Sequence, residues 1–297
     1  MNSNILWTPS PQRIGQGALA RFCRDTAALH GAGPRDYAAL HDWSVRQPES
    51  FWSALWDFLG LIGDKGDTAF DPGTGLRDAR FFPGARLNYA ENLLREADER
   101  KAIIAHRDDG TTRCVTRREL ADNVSRITAA LRAHGIGPGD RIAGIVTNDL
   151  ESIQFYLASA AIGAIWASCS PDFGPAGASD RLNQVAPRLL VATPSYRYGD
   201  KHIDIADTID AVASAPSVEK IITFGPVPAD RSFAKPAISL EAWIAPFAPS
   251  GIEYHRAPFD TPMVILFSSG TTGKPKCIIH RAGGLLIQHV KEHALHC

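Results

Sequence analysis

The chain has 297 residues and a mass of 32.1 kDa, with 31 basic and 32 acidic side chains and a formal net charge of −1. Hydrophobic residues make up 44% and charged residues 21%, which excludes a disordered chain, a collagen-like repeat and a disulfide-stapled mini-protein. A charge this near zero gives no electrostatic basis for nucleic acid or an acidic membrane as the main partner.

The five cysteines (Cys23, Cys114, Cys169, Cys277, Cys297) are scattered and form no CxxC pair, so reduced thiols are expected. The first residues carry neither a basic n-region nor a long apolar run, and a cytoplasmic protein is expected. Ser152 to Pro171 lacks charge, but its serines, Gln154 and Gly163 suit a buried helix followed by a buried strand better than a membrane span.

Residues 1–85 are rich in Trp and Phe and punctuated by Pro and Gly. Phe51, Trp52, Leu55, Trp56 and Leu59 recur at helical spacing behind Pro48, a favoured first helical residue. The aromatics read as glue for an N-terminal extension, with Gly63–Gly75 as a loop. From residue 86 on, a separate domain is expected. Ala102–His106 and Thr112–Val115 flank Asp109-Gly110, a hairpin signal. Thr116-Arg117-Arg118-Glu119 is a capping box. It opens a helix with Leu120, Val124, Ile127 and Leu131 on one stripe, closed at Gly135.

The predicted order then runs strand 141–147, helix 151–162, strand 164–168, helix 178–186, strand 188–192, helix 203–214 and strand 218–224. Alternating elements with doubly apolar strands predict an α/β fold with a mainly parallel sheet. A Pro-rich connection leads to the apolar strand Met263–Phe267, a second strand 276–280 and a final helix. Residues 260–297 are expected to begin a second sheet.

The segment with chemistry in it is Ser268-Ser269-Gly270-Thr271-Thr272-Gly273-Lys274-Pro275-Lys276. Its two glycines allow backbone N–H groups to converge on an anion. Four hydroxyls and the Lys274 charge add donors, and the whole suits a polyphosphate. It is not a Walker A loop: the glycines are two residues apart, and Pro275 follows the lysine where Ser or Thr would stand. Pro275 also disfavours a helix at Lys274.

Preceded by Ile265-Leu266-Phe267, this string resembles the phosphate-binding motif of adenylate-forming enzymes: acyl-CoA synthetases, peptide-synthetase adenylation domains and luciferases. Trp43-Ser44-Val45, Phe51-Trp52 and Phe82-Pro83-Gly84-Ala85-Arg86-Leu87-Asn88-Tyr89-Ala90-Glu91-Asn92-Leu93 resemble the N-terminal region of the acetyl-CoA synthetase group. Leu6-Trp7-Thr8-Pro9-Ser10 and Ile279-His280-Arg281-Ala282-Gly283-Gly284, with Gln288-His289, look most like the acetoacetyl-CoA synthetase subfamily.

The resemblance implies an acid–thiol ligase that uses ATP, Mg²⁺ and coenzyme A with acetoacetate, through an acyl-adenylate. Acetyl- or propionyl-CoA synthetase-like activity and a non-catalytic remnant are the alternatives. It implies that Ser268, Ser269, Thr271 and Thr272 donate to ATP phosphates, that Gly270 and Gly273 form the nest, and that Lys274 is the catalytic countercharge. Arg197, and Ser168–Gly174 with Arg181, align loosely with the coenzyme A nucleotide site; an ordinary strand-to-helix turn is the plain alternative. Cys169 reads as a small buried residue.

The family is normally about twice as long. Its adenine pocket, acyl pocket, hinge and C-terminal catalytic lysine are expected downstream of Cys297, so these residues alone are expected to be inactive; a truncated product and a split gene with the other half as a separate chain are the alternatives. His289-Val290-Lys291-Glu292-His293 also fits an inverted-zincin pattern, but five common positions match easily by chance.

Overall fold

The computed structural model describes residues 6–30, 36–108, 110–229, 231–269 and 273–296. The chain divides into two compact units, residues 1–87 with 283–297, and residues 88–282.

In the first unit, helix Pro48–Leu59 starts with Pro48 in its first turn and ends at Gly60, as its sequence dictates. Phe22, Phe51 and Leu55 are buried. Phe22 meets the rings of Trp43, Phe51 and Phe58 at centroid distances of 5.0–6.3 Å, so the aromatics form a core by edge-on packing. Residues 63–75 are more than a loop. They contribute two-residue strands, Gly63–Asp64 paired with Arg86–Leu87 and Phe70–Asp71 paired with Arg80–Phe81. Such short pairings leave no periodicity to read.

The second unit is built on a seven-stranded sheet. Its strands are β1 (Arg141–Ile145), β2 (Ile165–Cys169), β3 (Leu189–Ala192), β4 (Lys220–Thr223), β5 (Ala237–Ser239), β6 (Pro262–Phe267) and β7 (Cys277–Arg281), in the order β5-β4-β3-β1-β2-β6-β7. Every neighbouring pair is parallel except the β6–β7 edge. The longer helices packed around it are α1 (Arg117–Ala133), α2 (Leu150–Ala161), α3 (Pro175–Leu182) and α4 (Ala206–Ala213). Ala178, Leu182, Ile209 and Val212 of α3 and α4 pack with Ala143, Ile145, Leu190 and Ile221 on one face. Phe155 of α2 meets Trp166 of β2 on the other, with α1 packed on α2. Both faces of the sheet are therefore covered, which explains its doubly apolar strands.

The capping box is formed in full. Glu119 N–H donates to Thr116 Oγ1, and Thr116 N–H donates to Glu119 Oε2. All four stripe residues of α1 are buried. Strands Lys101–His106 and Thr112–Thr116 pair antiparallel; Asp109 of the turn lies outside the described residues. The uncharged stretch from Ser152 divides into α2 and β2. Among the described residues no helix is long and apolar enough to cross a membrane.

Three expectations are corrected. No second sheet begins at residue 260: Val264 and Ile265 of β6 pair with Trp166 and Ala167 of β2, so β6 and β7 extend the same sheet. The Pro-rich connection contains β5 and a one-turn helix, Leu240–Ile244. Edge strands tolerate a neighbouring proline, and here the Pro236 carbonyl accepts from Ile221 N–H. The helix expected from Ile203 starts at Ala206. Lys201–Asp204 is instead a strand paired with Ser195–Tyr198 across Gly199-Asp200, a two-residue turn signal.

Candidate functional site

The polypeptide leaves the parallel strands on one edge of the sheet, and the residues that follow them line a cavity of about 830 Å³. It takes Val146–Asp149 after β1, Ser170–Asp172 after β2, Thr193 and Ser195–Tyr198 after β3, and Phe224-Gly225 after β4. Successive connections run to opposite sides of β1 (to β2 and to β3), which opens a crevice at the carboxyl ends of the strands. Ligands of open α/β sheets bind at such a crevice. A smaller hollow of about 320 Å³ adjoins it, lined by Ser152, Ile153, Tyr156, Trp166, Ser168 and Cys169 among others.

The charges of the cavity fall into two sets. On one wall Arg107 and Arg113 are already paired. Arg107 Nε donates to Asp149 at 2.7 Å, and Arg113 forks onto Glu151 at 2.6 and 3.0 Å. Asp149 is buried and also accepts from Leu150 N–H at the start of α2, so this wall is a neutralised network. Arg197 also lines the cavity and has no side-chain partner among the described residues, which leaves its guanidinium available to an anion.

In the same lining, Asp172 accepts from Tyr196 Oη at 2.5 Å and from Ser170 Oγ at 2.7 Å. The Tyr196 hydroxyl, with Ser170 assisting, holds the Asp172 carboxyl below its ordinary range. The same bond, with some burial, pushes the Tyr196 phenol up to about 12. Arg181 is taken up by the Phe173 ring, 3.8 Å from its centroid, and by the Gly177 carbonyl.

The hydroxyl-rich loop leaves the same sheet edge from β6. Ser268 N–H donates to Lys276 O and Lys276 N–H to Ser268 Oγ, both at 3.0 Å. Ser268 thus closes the neck of the loop, and its hydroxyl proton is not used by any other described residue. Ser269, Gly273 and Lys274 are exposed, and Gly273 has φ 143°. Gly270, Thr271 and Thr272 lie outside the described residues. A strand, not a helix, follows the loop.

Cys169 is buried, and burial pushes its thiol up to about 12, an inert environment. Among the described residues no group of three or more His, Cys, Asp or Glu side chains could hold a metal ion. Glu292, central to the zincin-like pattern, accepts from Gln288 and Lys291. The sequence signature of the AMP-binding enzyme family matches residues 91–296.

The chain belongs to the AMP-binding enzyme family.

As a family member it also carries the acetyl-coenzyme A synthetase N-terminus over residues 37–93. It is 43% identical over 296 residues to the acetoacetyl-coenzyme A synthetase of Rhizobium meliloti, covering 98% of this chain and 45% of that relative. It is 36% identical to a malonamoyl-CoA synthetase of Penicillium aethiopicum, covering 98% and 42%. The solved acetoacetyl-CoA synthetase from Streptomyces lividans superposes with a TM-score of 0.90 at 36% identity, over 99% of this chain and 46% of that one. The chain thus spans about half the length of the curated relatives it matches.

The hairpin behind Arg197 is what sequence reasoning missed. Its signal was Gly199-Asp200 between two short runs of strand-forming residues.

Proposed function

We propose that the gene product carrying these residues is an acetoacetate–CoA ligase. The carboxylate of acetoacetate attacks the α-phosphorus of ATP and pyrophosphate leaves. The coenzyme A thiolate then attacks the acyl carbon, giving acetoacetyl-CoA and AMP. The observation that carries this is the 43% identity to the Rhizobium meliloti synthetase along nearly the whole chain.

In this reading Ser268, Ser269, Gly270, Thr271, Thr272 and Gly273 bind the β- and γ-phosphates. Lys274 neutralises charge as the α-phosphorus is attacked, a positioning and electrostatic role. The loop hydroxyls and Lys274 would donate to the phosphate oxygens, and Mg²⁺ would enter with the phosphates of the nucleotide and neutralise part of their charge. Arg197, with its free guanidinium, takes a phosphate of coenzyme A in the cavity. Residues 1–85 act as the N-terminal extension and 86–297 as the start of the adenylation domain, in the cytoplasm. The segments that complete the site belong to the half of the relatives that this chain does not span, on the same chain or a separate one.

The malonamoyl-CoA relative favours one second reading of the substrate. Malonamate and acetoacetate are both short 3-oxo carboxylates of similar shape. Coenzyme A-dependent conversion of ATP to AMP is therefore to be measured on the gene product with acetoacetate, malonamate, acetate and propionate. Preference for acetoacetate is expected. Preference for malonamate keeps the 3-oxo class and changes its member, and preference for acetate overturns the assignment.

A further inference from the structure

The hairpin that bears Arg197 stands outside the seven-stranded sheet. Ser195–Tyr198 pairs with Lys201–Asp204 alone. A two-stranded hairpin is marginal on its own, so its pose depends on what ties it down. Tyr196 and Ile203 rest partly buried against the core cluster. The Tyr196 hydroxyl also reaches Asp172 Oδ1 at 2.5 Å. Asp172 is fixed from its own side, because Ser170 Oγ donates to Oδ2 at 2.7 Å and Asp172 N–H donates to Ser170 Oγ at 3.3 Å. The bond therefore joins the segment after β2 to the segment after β3, and Ser170, Asp172, Tyr196 and Arg197 line one cavity.

We propose that the Tyr196–Asp172 hydrogen bond is a latch that holds the hairpin over the cavity and so positions the adjacent Arg197 for a phosphate-bearing ligand. Tyr196 and Asp172 are positioning residues, and Arg197 is the residue that meets the ligand. A guanidinium on an unrestrained hairpin would have to be ordered at the moment of binding, and that ordering subtracts from affinity. A segment already latched avoids the loss. The inference rests on reading the cavity as the coenzyme A nucleotide site.

Two measurements on the gene product that carries these residues separate the two ideas. The first needs no ligand: amide hydrogen exchange over residues 195–204 in the wild type and in Tyr196→Phe. The latch predicts at least about tenfold faster exchange there in the variant, since a hydrogen bond to a charged group is lost. Unchanged exchange overturns the latch whatever the cavity binds.

The second is calorimetric titration with adenosine 3′,5′-bisphosphate, the phosphorylated nucleoside chemistry of coenzyme A. Tyr196→Phe is expected to weaken binding about tenfold. Asp172→Asn, which keeps an acceptor for the phenol, is expected to stay within about threefold of wild type. In an Arg197→Ala background, Tyr196→Phe is expected to add little, because coupled residues are non-additive. A full additional loss in that background would mean that Tyr196 acts by another route and overturns the positioning role. Absence of wild-type binding, with fast exchange in the variant, rejects the nucleotide reading and leaves the latch standing.

Discussion

The indole of Trp166 lies directly across the backbone of Gly144. A Cβ built on Gly144 would stand 2.7 Å from Trp166 Cζ2 and 3.2 Å from Ser168 Cβ. The ring is held there by its own Nε1–H, which donates to Ser168 Oγ at 3.0 Å, and by Phe155 above it. The smallest residue of β1 thus makes room for the largest of β2.

Gly144→Ala is therefore expected to force the indole or the strand to move. Overpacking of this kind costs about 1–3 kcal/mol. Urea denaturation of the chain should show a lower midpoint with an unchanged slope. Wild-type stability would mean that the ring relocates freely.

Asn88 is the second packing point to test. Its Nδ2 donates to the carbonyls of Ala160 at 2.8 Å and His255 at 2.9 Å, and its Oδ1 accepts from Glu91 N–H at 3.2 Å. The side chain is only 3% exposed. Asn88→Ala leaves buried carbonyls without their donor, at about 1–3 kcal/mol. Asn88→Asp should cost more, because it sets a buried carboxylate against those oxygens. A melt of each variant gives the order.

The capping box and the α1 stripe were legible because each is a contiguous pattern whose physics is local. Thr116 and Glu119 must meet if residue 117 opens a helix. The cavity was not legible. Its walls come from segments scattered between His106 and Gly225, and pairs such as Arg107–Asp149 exist only once the start of α2 has been placed beside the hairpin at residues 101–116. The strand Lys201–Asp204 was hidden for a different reason: the helical stripe of Ile205, Ile209 and Val212 begins just behind it, and only the cross-strand pairing of Ile203 with Tyr196 shows that the helix does not reach back that far.

Lys274→Ala in the gene product should slow acyl-adenylate formation about tenfold to a hundredfold, as expected when a contact worth about 1.5–3 kcal/mol is felt in the transition state alone. Thioester formation from preformed adenylate should be little changed. Pyrophosphate exchange and single-turnover thioester formation, measured separately, decide the point. Equal slowing of both steps contradicts the role.

Alkylation should separate the cysteines. Cys114 and Cys277 are exposed and should be modified by iodoacetamide in mild alkali. Cys169 should be spared, because it is buried and its pKa is raised to about 12. Peptide mass spectrometry reads each site. Rapid labelling of Cys169 would contradict its burial.

The Tyr196–Asp172 pair also sets a pH window. The Asp172 carboxyl is depressed, so its contribution is present above the ordinary carboxylate range and is lost as pH falls through its folded value. The Tyr196 phenol is raised to about 12, so its contribution is intact below about pH 10 and is lost as pH climbs toward 12. Phenolate absorbance of wild type minus Tyr196→Phe should show one tyrosine ionising well above the ordinary value. Titration at the ordinary value would show the hydrogen bond to be broken in solution.

The lining of the cavity is drawn from segments that begin where the strands stop, while α3, α4 and the sheet keep their apolar residues for one another. The cavity lining and the core are consequently written in largely separate sets of residues. Drift at Arg197 or Tyr198 can alter the cavity lining without compensation in the interior, whereas Tyr196 and Ile203 of the same hairpin also rest against the core. Relatives that share this scaffold are free to diverge in chemistry faster than in shape.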